Sequence, residues 1–396
     1  DQPLLQPVYV QETNKTTVAK NATRQFWITI SVPEQTQAGE YVGSITLRTS
    51  KSSWDLPMRM RVYPFELPEA EGTAFGMYSR LHDDDSFMDF IYADMRRHGM
   101  TTVGLCCALG AEMRMVDGEP RVRLMGESDL ARAMRAYVKA GFPEPVVWLM
   151  GADVLRFAQT QGPLDSDAFA AAYKGVILAI LEHAKASGWP EIIFQPVDEP
   201  FEHTSRLPAA KRCLEIMKTI PGLRTEEDGP NGDPPTLDSL YDLCDVIVYH
   251  DGPWVDRKRY DAEAWKRLLA RAKADGKTIW FYNVDLTGYH PEAMRFGYGV
   301  GLWLAGGSGV IEWAYMFRHG RGPEDAAYTN PSTMFFRYPK TSVHSGGPSS
   351  GWEAVREGVN DDRHPRLFHR LWSEAKQSGN QRRIEAANRS ERAVAD

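Results

Sequence analysis

The sequence has few cysteines and no long apolar run, and both absences exclude whole classes of protein. Its 396 residues include four cysteines, with no Cys-x-x-Cys pair and no cysteine–histidine spacing typical of a metal site. Neither a structural zinc nor a disulfide framework is indicated. We therefore expect buried free thiols, at Cys106, Cys107, Cys213 and Cys244. No apolar stretch is long enough to cross a bilayer, so we expect no membrane span.

Basic residues are also fewer than acidic ones. Lysine and arginine number 46 against 53 aspartates and glutamates, which gives a net charge of −7. Without a basic stripe, nucleic acid is not an expected partner. The chain begins at Asp1 with no signal-peptide pattern, so we expect a mature or trimmed form, located outside the cell or in the periplasm. A hydrophobic fraction of 42% is enough to bury a large core.

Residues 1–68 have the short alternating segments of an all-β domain. Strands are predicted at Phe26–Val32, 40–47 and 56–63, separated by glycine- and proline-containing turns. This number of strands predicts a small, partial β-sandwich.

From Thr73 the pattern changes to strand followed by helix, repeated. The eight predicted strands are 74–78, 101–106, 145–150, 192–197, 223–227, 244–250, 278–283 and 309–315. Eight such repeats predict a (β/α)₈ TIM-like barrel, an α/β fold, over residues 69–351. A doubly wound sheet is the alternative, but it usually begins with a glycine-rich turn, and residues 78–82 do not form one. A helical tail, 352–396, is expected to pack on the barrel and to fray beyond about Gln377.

The fourth predicted strand runs directly into Asp198, Glu199 and Pro200. Two acids at the end of a buried strand cost stability unless something uses them. Since two close carboxylates resist ionising together, one pKa should rise, giving a protonated acid beside an ionised partner. That pair suits cleavage of a glycosidic bond. The alternative is an ordinary solvated surface pair.

Other polar and aromatic residues follow neighbouring strands, and the carboxyl ends of barrel strands form one bowl. The predicted substrate-binding residues are Tyr78, Tyr249, His250, Trp280, Tyr282, Asn283, Glu312 and Trp313. Acids mixed with flat rings are typical of a sugar site, so an oligosaccharide or glycoconjugate glycan is the expected partner. The motifs indicate neither a phosphate loop nor a metal set, so no cofactor and no metal are predicted.

Several of these segments together resemble glycoside hydrolase family 123 and related barrel proteins. The resemblance rests on 195–200, on 26–33 and 39–43, on 295–301 with 312–315, and on the Trp-Glu-x-x-Arg-Glu-Gly motif of 352–358. It implies an exo-acting β-N-acetylgalactosaminidase-like enzyme that uses a retaining, substrate-assisted mechanism. Glu199 would be the acid/base and Asp198 would orient the 2-acetamido group, which itself attacks the anomeric carbon. Tyr249 or Tyr282 would donate to that group, and Trp280 and Trp313 would wall its pocket.

Glu312 departs from this pattern, because an apolar or aromatic residue is expected there. It could pair with Arg295 or Arg318, or it could be a second catalytic carboxylate opposite Glu199, with Asp285 as the weaker candidate. In that case the substrate need not carry an acetamido group. A carbohydrate-binding barrel without activity is a third hypothesis. The motif at 352–361 is interpreted as an anchor for the terminal helix, and no oligomeric state is predicted.

Overall fold

The computed structural model describes residues 10, 13–70, 72–81, 84–201, 205–228, 238–250, 252–253, 261–282, 290–317, 334–338 and 347–395. The chain divides into two compact units, one made of Thr13–Pro68 and the other of the rest.

Within Thr13–Pro68 the described residues contain one antiparallel pair, β1 (Gly39–Arg48) and β2 (Ser53–Val62). Their register runs from Gly39 opposite Val62 to Arg48 opposite Ser53. The strand predicted at Phe26–Val32 is not formed, and the prediction is wrong at that point. The large apolar side chains there are about half exposed, and without a second sheet against which to bury them the alternating pattern does not produce a strand.

The second unit is a closed barrel of eight parallel strands with helices between them. In chain order its elements are β3 (Ala74–Arg80), α1 (Asp85–Arg97), β4 (Gly104–Cys107), β5 (Ala111–Val116), β6 (Glu119–Leu124), α2 (Asp129–Ala140), β7 (Val146–Met150), α3 (Ala152–Gln161), α4 (Asp167–Ser187), β8 (Ile192–Gln195), α5 (Leu207–Lys218), β9 (Arg224–Asp228), α6 (Asp238–Tyr241), β10 (Val246–Tyr249), α7 (Ala262–Ala274), β11 (Thr278–Phe281), α8 (Pro291–Tyr298), α9 (Val300–Ala305), β12 (Gly309–Glu312), β13 (Met316–Phe317), β14 (Met334–Phe335), β15 (Arg337–Tyr338), β16 (Gly347–Pro348), α10 (Ser350–Gln377) and α11 (Gln381–Ala395). The barrel order is β3-β4-β7-β8-β9-β10-β11-β12, closed by pairing of β12 with β3. The predicted (β/α)₈ class is confirmed.

Local sequence signals explain where the helices begin and end. The Ser128 side chain accepts from the backbone N–H of Ala131 to start α2, and Gly141 ends that helix in the left-handed conformation. Ser166 and Gly188 do the same for α4. The hairpin β5–β6 and helix α3 are additions to the barrel that the sequence pattern did not predict.

Two apolar layers give each barrel strand an inner and an outer face. Ile193, Val246, Val248 and Ile311 pack with one another inside the barrel. Alternate residues, such as Phe194 and Ile247, pack outward against the helices. This two-residue period decides which side chains can reach a ligand inside the barrel.

The terminal helices are ordered parts of the second unit. A Cβ added at Gly358 of α10 would lie 2.5 Å from the carbonyl oxygen of Arg295, so α8 and α10 cross where only glycine fits. Arg295 also makes a bidentate bond to Asp361, with distances of 2.6 and 2.9 Å. The expected fraying beyond Gln377 is wrong, because α11 follows and Lys376 bonds to Glu391 within it.

None of the helices in the described ranges combines the length and the apolar character that a membrane span requires. The four thiols are free, with Cys213 and Cys244 buried and Cys106 and Cys107 half-buried.

Candidate active site

Asp198 and Glu199 lie just beyond the carboxyl end of β8, at the mouth of the barrel. Glu199 has a φ of +43°, in the left-handed region that residues other than glycine rarely adopt. Its backbone N–H donates to Asp228 over 3.1 Å, and its carboxylate accepts from the Tyr282 hydroxyl over 3.4 Å. Residues held in such a conformation are concentrated at functional sites.

Asp198 is the more open member of the pair. Its side chain is 58% exposed, and its carboxylate lies 3.6 Å from the guanidinium of Arg206. The same guanidinium donates to the Asp198 carbonyl over 2.8 Å, so one arginine from the turn before α5 holds both ends of the residue. A ligand entering the barrel mouth can therefore reach Asp198 from solvent.

Three further acids stand on β9, the strand next to β8. Glu226 and Asp228 share register with Val246 and Val248 and face the barrel interior, whereas Glu227 shares register with Ile247 and faces the helices. All three are buried. Acids rarely occupy consecutive core positions without a functional reason.

Burial is the largest influence on the pKa values of these three acids. It raises the pKa of Glu226 to about 8, with a further increase from the charge of Asp228. Burial likewise raises the pKa of Asp228 to about 7, and the charges of Asp198 and Glu199 add to that rise. The pKa of Glu227 is raised well above its usual value, first by burial and then by Asp228.

Tyr78 and Gln195 connect the acids inside the barrel. The Tyr78 hydroxyl donates to the Gln195 side-chain oxygen over 2.8 Å, and the Gln195 amide donates to Asp228 over 3.1 Å. Glu226 lies 3.4 Å from the same hydroxyl. The Tyr78 hydroxyl is the donor in this contact too, so Glu226 is its second, longer and weaker acceptor.

Aromatic rings form the rest of the mouth. The Tyr78 ring lies 5.8 Å from Trp313 and 6.0 Å from Tyr282, and His250 meets Tyr282 edge-on at 5.2 Å. Trp280 also faces the interior, where its ring covers Gly309 at a distance that leaves no room for a Cβ atom. Flat rings beside carboxylates can stack on the C–H face of a sugar while the acids contact its hydroxyls.

The structure thus brings together six of the residues predicted to bind substrate or act in catalysis around Tyr78 and Glu199. This group consists of Tyr78, Glu199, His250, Trp280, Tyr282 and Trp313. Asp198 belongs to the same mouth, since its charge acts on Asp228.

Two predicted binding residues lie elsewhere. The Tyr249 ring packs edge-on against Trp265 of α7, 5.3 Å away, on the outer face of β10. Glu312 is paired in register with Met77, so its fully buried side chain also points toward the helix layer, near Tyr298. Both placements correct the prediction, because the two-residue period of a strand puts these positions on the face away from the bowl. Asn283, Asp285 and Arg318 lie outside the described residues.

Sequence reasoning missed Asp228, Glu226 and Gln195 as parts of the site. The predicted fifth strand stopped at Glu227, one residue short of Asp228. A signal was present, since Glu226 and Asp228 are two residues apart and a strand places such positions on one face.

Comparison with known families and structures adds the following. Residues 1–49 match the family model described as glycoside hydrolase 123 N-terminal domain. This match confirms the predicted family resemblance over that segment, and it supports glycosidase activity. No curated protein matches the sequence.

Several solved structures are similar to this chain at low identity. A family 39 glycoside hydrolase from the gut symbiont Bacteroides cellulosilyticus is 14% identical, with a TM-score of 0.48 over 82% of this chain and 71% of that one. The tandem family 20 modules of a pneumococcal exo-β-D-N-acetylglucosaminidase give 10% identity and a TM-score of 0.43 over 80% of this chain and 94% of that one. An endo-1,4-β-mannanase from Rhizomucor miehei is 12% identical, with a TM-score of 0.42 over 61% of this chain and 86% of that one.

Proposed function

We propose that this protein is an exo-acting glycoside hydrolase that removes β-linked N-acetylhexosamine, most readily N-acetylgalactosamine, from a glycan. The proposed mechanism is retaining and substrate-assisted. The observation that carries the proposal is the position of Glu199, at the barrel mouth, against the Tyr282 hydroxyl and beside the more exposed Asp198.

In the first step Glu199 donates its proton to the glycosidic oxygen as the bond from that oxygen to the anomeric carbon breaks. The oxygen of the substrate's own 2-acetamido group forms the new bond to the anomeric carbon, which gives an oxazolinium ion that keeps its N–H proton. Asp198 accepts the hydrogen bond from the acetamido nitrogen and stabilises the positive charge that develops there. The protein supplies no nucleophile.

In the second step water attacks the anomeric carbon, the bond from that carbon to the acetamido oxygen breaks, and the oxazolinium ring opens to the acetamido group. The Glu199 carboxylate takes a proton from that water and is ready for another cycle. Two inversions at one carbon leave the product in the β configuration. Clustered carboxyls favour this division of labour, because acids that lie close together do not all ionise at little cost.

The placement of Glu312 favours this mechanism over the two-carboxylate alternative. A protein nucleophile must face the acid across the sugar ring, about 5 Å away. Glu312 instead points into the helix layer and is fully buried, so it does not face Glu199 across the bowl. We also propose that the protein acts outside the cell or in the periplasm, where such glycans occur.

Aryl β-glycosides of N-acetylgalactosamine, N-acetylglucosamine and galactose test the proposal directly. We expect turnover of the two acetamido sugars, the first faster, and inhibition by the thiazoline analogue of the oxazolinium ion. Proton NMR should show the β anomer as the first product. Turnover of the plain galactoside without thiazoline inhibition would sink the substrate-assisted mechanism.

A further inference from the structure

We propose that Asp228 is a positioning residue that fixes the catalytic conformation of Glu199 through the Glu199 backbone N–H. The inference rests on the proposed function, in which Glu199 is the acid. It concerns a residue that never needs to touch the substrate, because Asp228 is 6% exposed and lies beneath the mouth.

The first argument is the backbone of Glu199. A non-glycine residue at positive φ costs free energy, of the order of 1 kcal/mol, and persists only where its surroundings determine it. Asp228 supplies such a contact, because its Oδ1 accepts the Glu199 N–H over 3.1 Å. Turning this peptide would move the carboxyl of Glu199 away from Tyr282.

The second argument is that Asp228 is itself held in place. The same Oδ1 accepts from the Gln195 amide over 3.1 Å, and Gln195 is held by Tyr78. A carboxylate held by Gln195, whose own side chain is held by Tyr78, can in turn fix a strained loop residue.

The third argument is the topology of the contact. β8 and β9 are adjacent parallel strands, and the bond joins the loop after β8 to the last residue of β9. Because both acids lie at the carboxyl ends of barrel strands, the rigid sheet carries the positioning contact.

The test compares Asp228→Ala with Asp228→Asn. Asparagine keeps one oxygen, which can accept both existing bonds, whereas alanine removes the acceptor. For Asp228→Ala we expect kcat to fall about a hundredfold, the loss that a small misplacement of a catalytic group produces, with KM changed less than about threefold. Asp228→Asn should recover most of that kcat.

A matched control is available on a different loop of the same barrel. Asp153 also accepts backbone N–H groups, those of Leu109 and Gly110, at 2.9 and 3.4 Å. Asp153→Ala should leave kcat within about threefold of wild type, because it removes the same kind of bond from a loop without the acid. A loss in Asp153→Ala equal to that in Asp228→Ala would overturn the proposal.

Amide hydrogen exchange of the segment 195–201 supplies a readout that needs no turnover. We expect exchange at Glu199 to speed up at least about tenfold in Asp228→Ala and to stay near wild type in Asp228→Asn. Unchanged exchange in the alanine variant would overturn the positioning proposal by itself. If wild type cleaves no aryl glycoside but exchange responds as expected, the proposed activity fails while the positioning contact stands.

Discussion

Two sets of buried carboxylates in the barrel unit differ in what surrounds them. Asp94 of α1 accepts from the Tyr315 hydroxyl at 2.6 Å, from the Trp352 indole at 3.0 Å and from Arg97 at 2.9 Å. Burial raises the pKa of Asp94, but His98 and these hydrogen-bond donors outweigh that effect and leave the pKa below its usual value. The ionised form is therefore the stable one.

The acids of β9 have neutral donors and one another as neighbours. Glu226 is next to Tyr78, and Asp228 is next to Gln195, Glu227 and the Glu199 N–H. Their pKa values rise to about 8 and about 7, chiefly because of burial. A buried acid among cations and hydroxyls holds elements together, whereas acids that raise one another's pKa reduce stability and are typical of sites that move protons.

We call Asp94 and its hydrogen-bond partners the stabilising set, and the motif at 352–361 belongs to it. Trp352 donates to Asp94 and stacks on His98 with the ring centres 4.2 Å apart, and Glu353 bonds to both His98 and Arg356. The structure therefore places this motif where α10 meets α1, which agrees with its interpretation as an anchor of the terminal helix.

The largest effect expected from this contrast is the loss of turnover in Glu199→Gln. Glutamine keeps the shape of the side chain but cannot donate the required proton, so kcat should fall about 10³- to 10⁴-fold. The free energy of unfolding should change by less than about 1 kcal/mol, since Glu199 is not a core residue. Aryl-glycoside kinetics and urea unfolding measure the two quantities. Unchanged hydrolysis would remove both glycosidase mechanisms.

For the stabilising set we expect a large change in the free energy of unfolding. Asp94→Ala leaves Tyr315 and Trp352 without their buried acceptor, so the free energy of unfolding should fall by about 3–4 kcal/mol. Asp361→Ala is the matched control, because it breaks a partly exposed pair with Arg295 and should cost about 1 kcal/mol or less. Urea unfolding at pH 7 measures both. Equal losses in the two variants would contradict the distinction between the sets.

Much of the fold was predictable, because its signals are local. Caps such as Ser128 and Gly141 act within one turn of helix, and short apolar runs mark strands that are buried on both faces. The strand predicted at Phe26–Val32 failed because its pattern needs a second sheet, which depends on residues distant in sequence. The hairpin β5–β6 was missed because its alternation sits inside a barrel repeat.

The site was predictable where polar residues follow a strand directly in the sequence. Asp198 and Glu199 come immediately after β8, and Tyr282 faces inward just after β11. Glu312 was misplaced because the side on which a strand-end residue projects depends on register, here its pairing with Met77. Asp228 was missed because its contact with Glu199 joins positions 29 residues apart in the chain.

The pH dependence of stability sharpens the contrast further. Glu226 has a raised pKa of about 8, so it is protonated in the folded protein while ionised in the unfolded chain between about pH 5 and 8. Folded protein then binds more protons, and stability falls as pH rises through that window, by up to about 1.4 kcal/mol per unit.

Glu226→Gln removes that contribution. We expect the variant to gain about 3 kcal/mol relative to wild type between pH 5.5 and pH 8, with the residual slope due to Asp228. Urea unfolding at both pH values provides the measurement. If the free energy of unfolding changed with pH in the variant as it does in wild type, Glu226 would not carry a buried proton.

The smallest effect is expected from a single hydroxyl at the mouth. Tyr282→Phe removes the 3.4 Å contact with Glu199 and should lower kcat/KM by about tenfold or less, in keeping with one long hydrogen bond. Tyr249→Phe is the matched control, because its ring lies on the outer face of β10 against Trp265. It should leave kcat/KM unchanged, since its hydroxyl does not face the bowl. If Tyr249→Phe were the more damaging change, the division of the strands into an inner chemical face and an outer packing face would be wrong at β10.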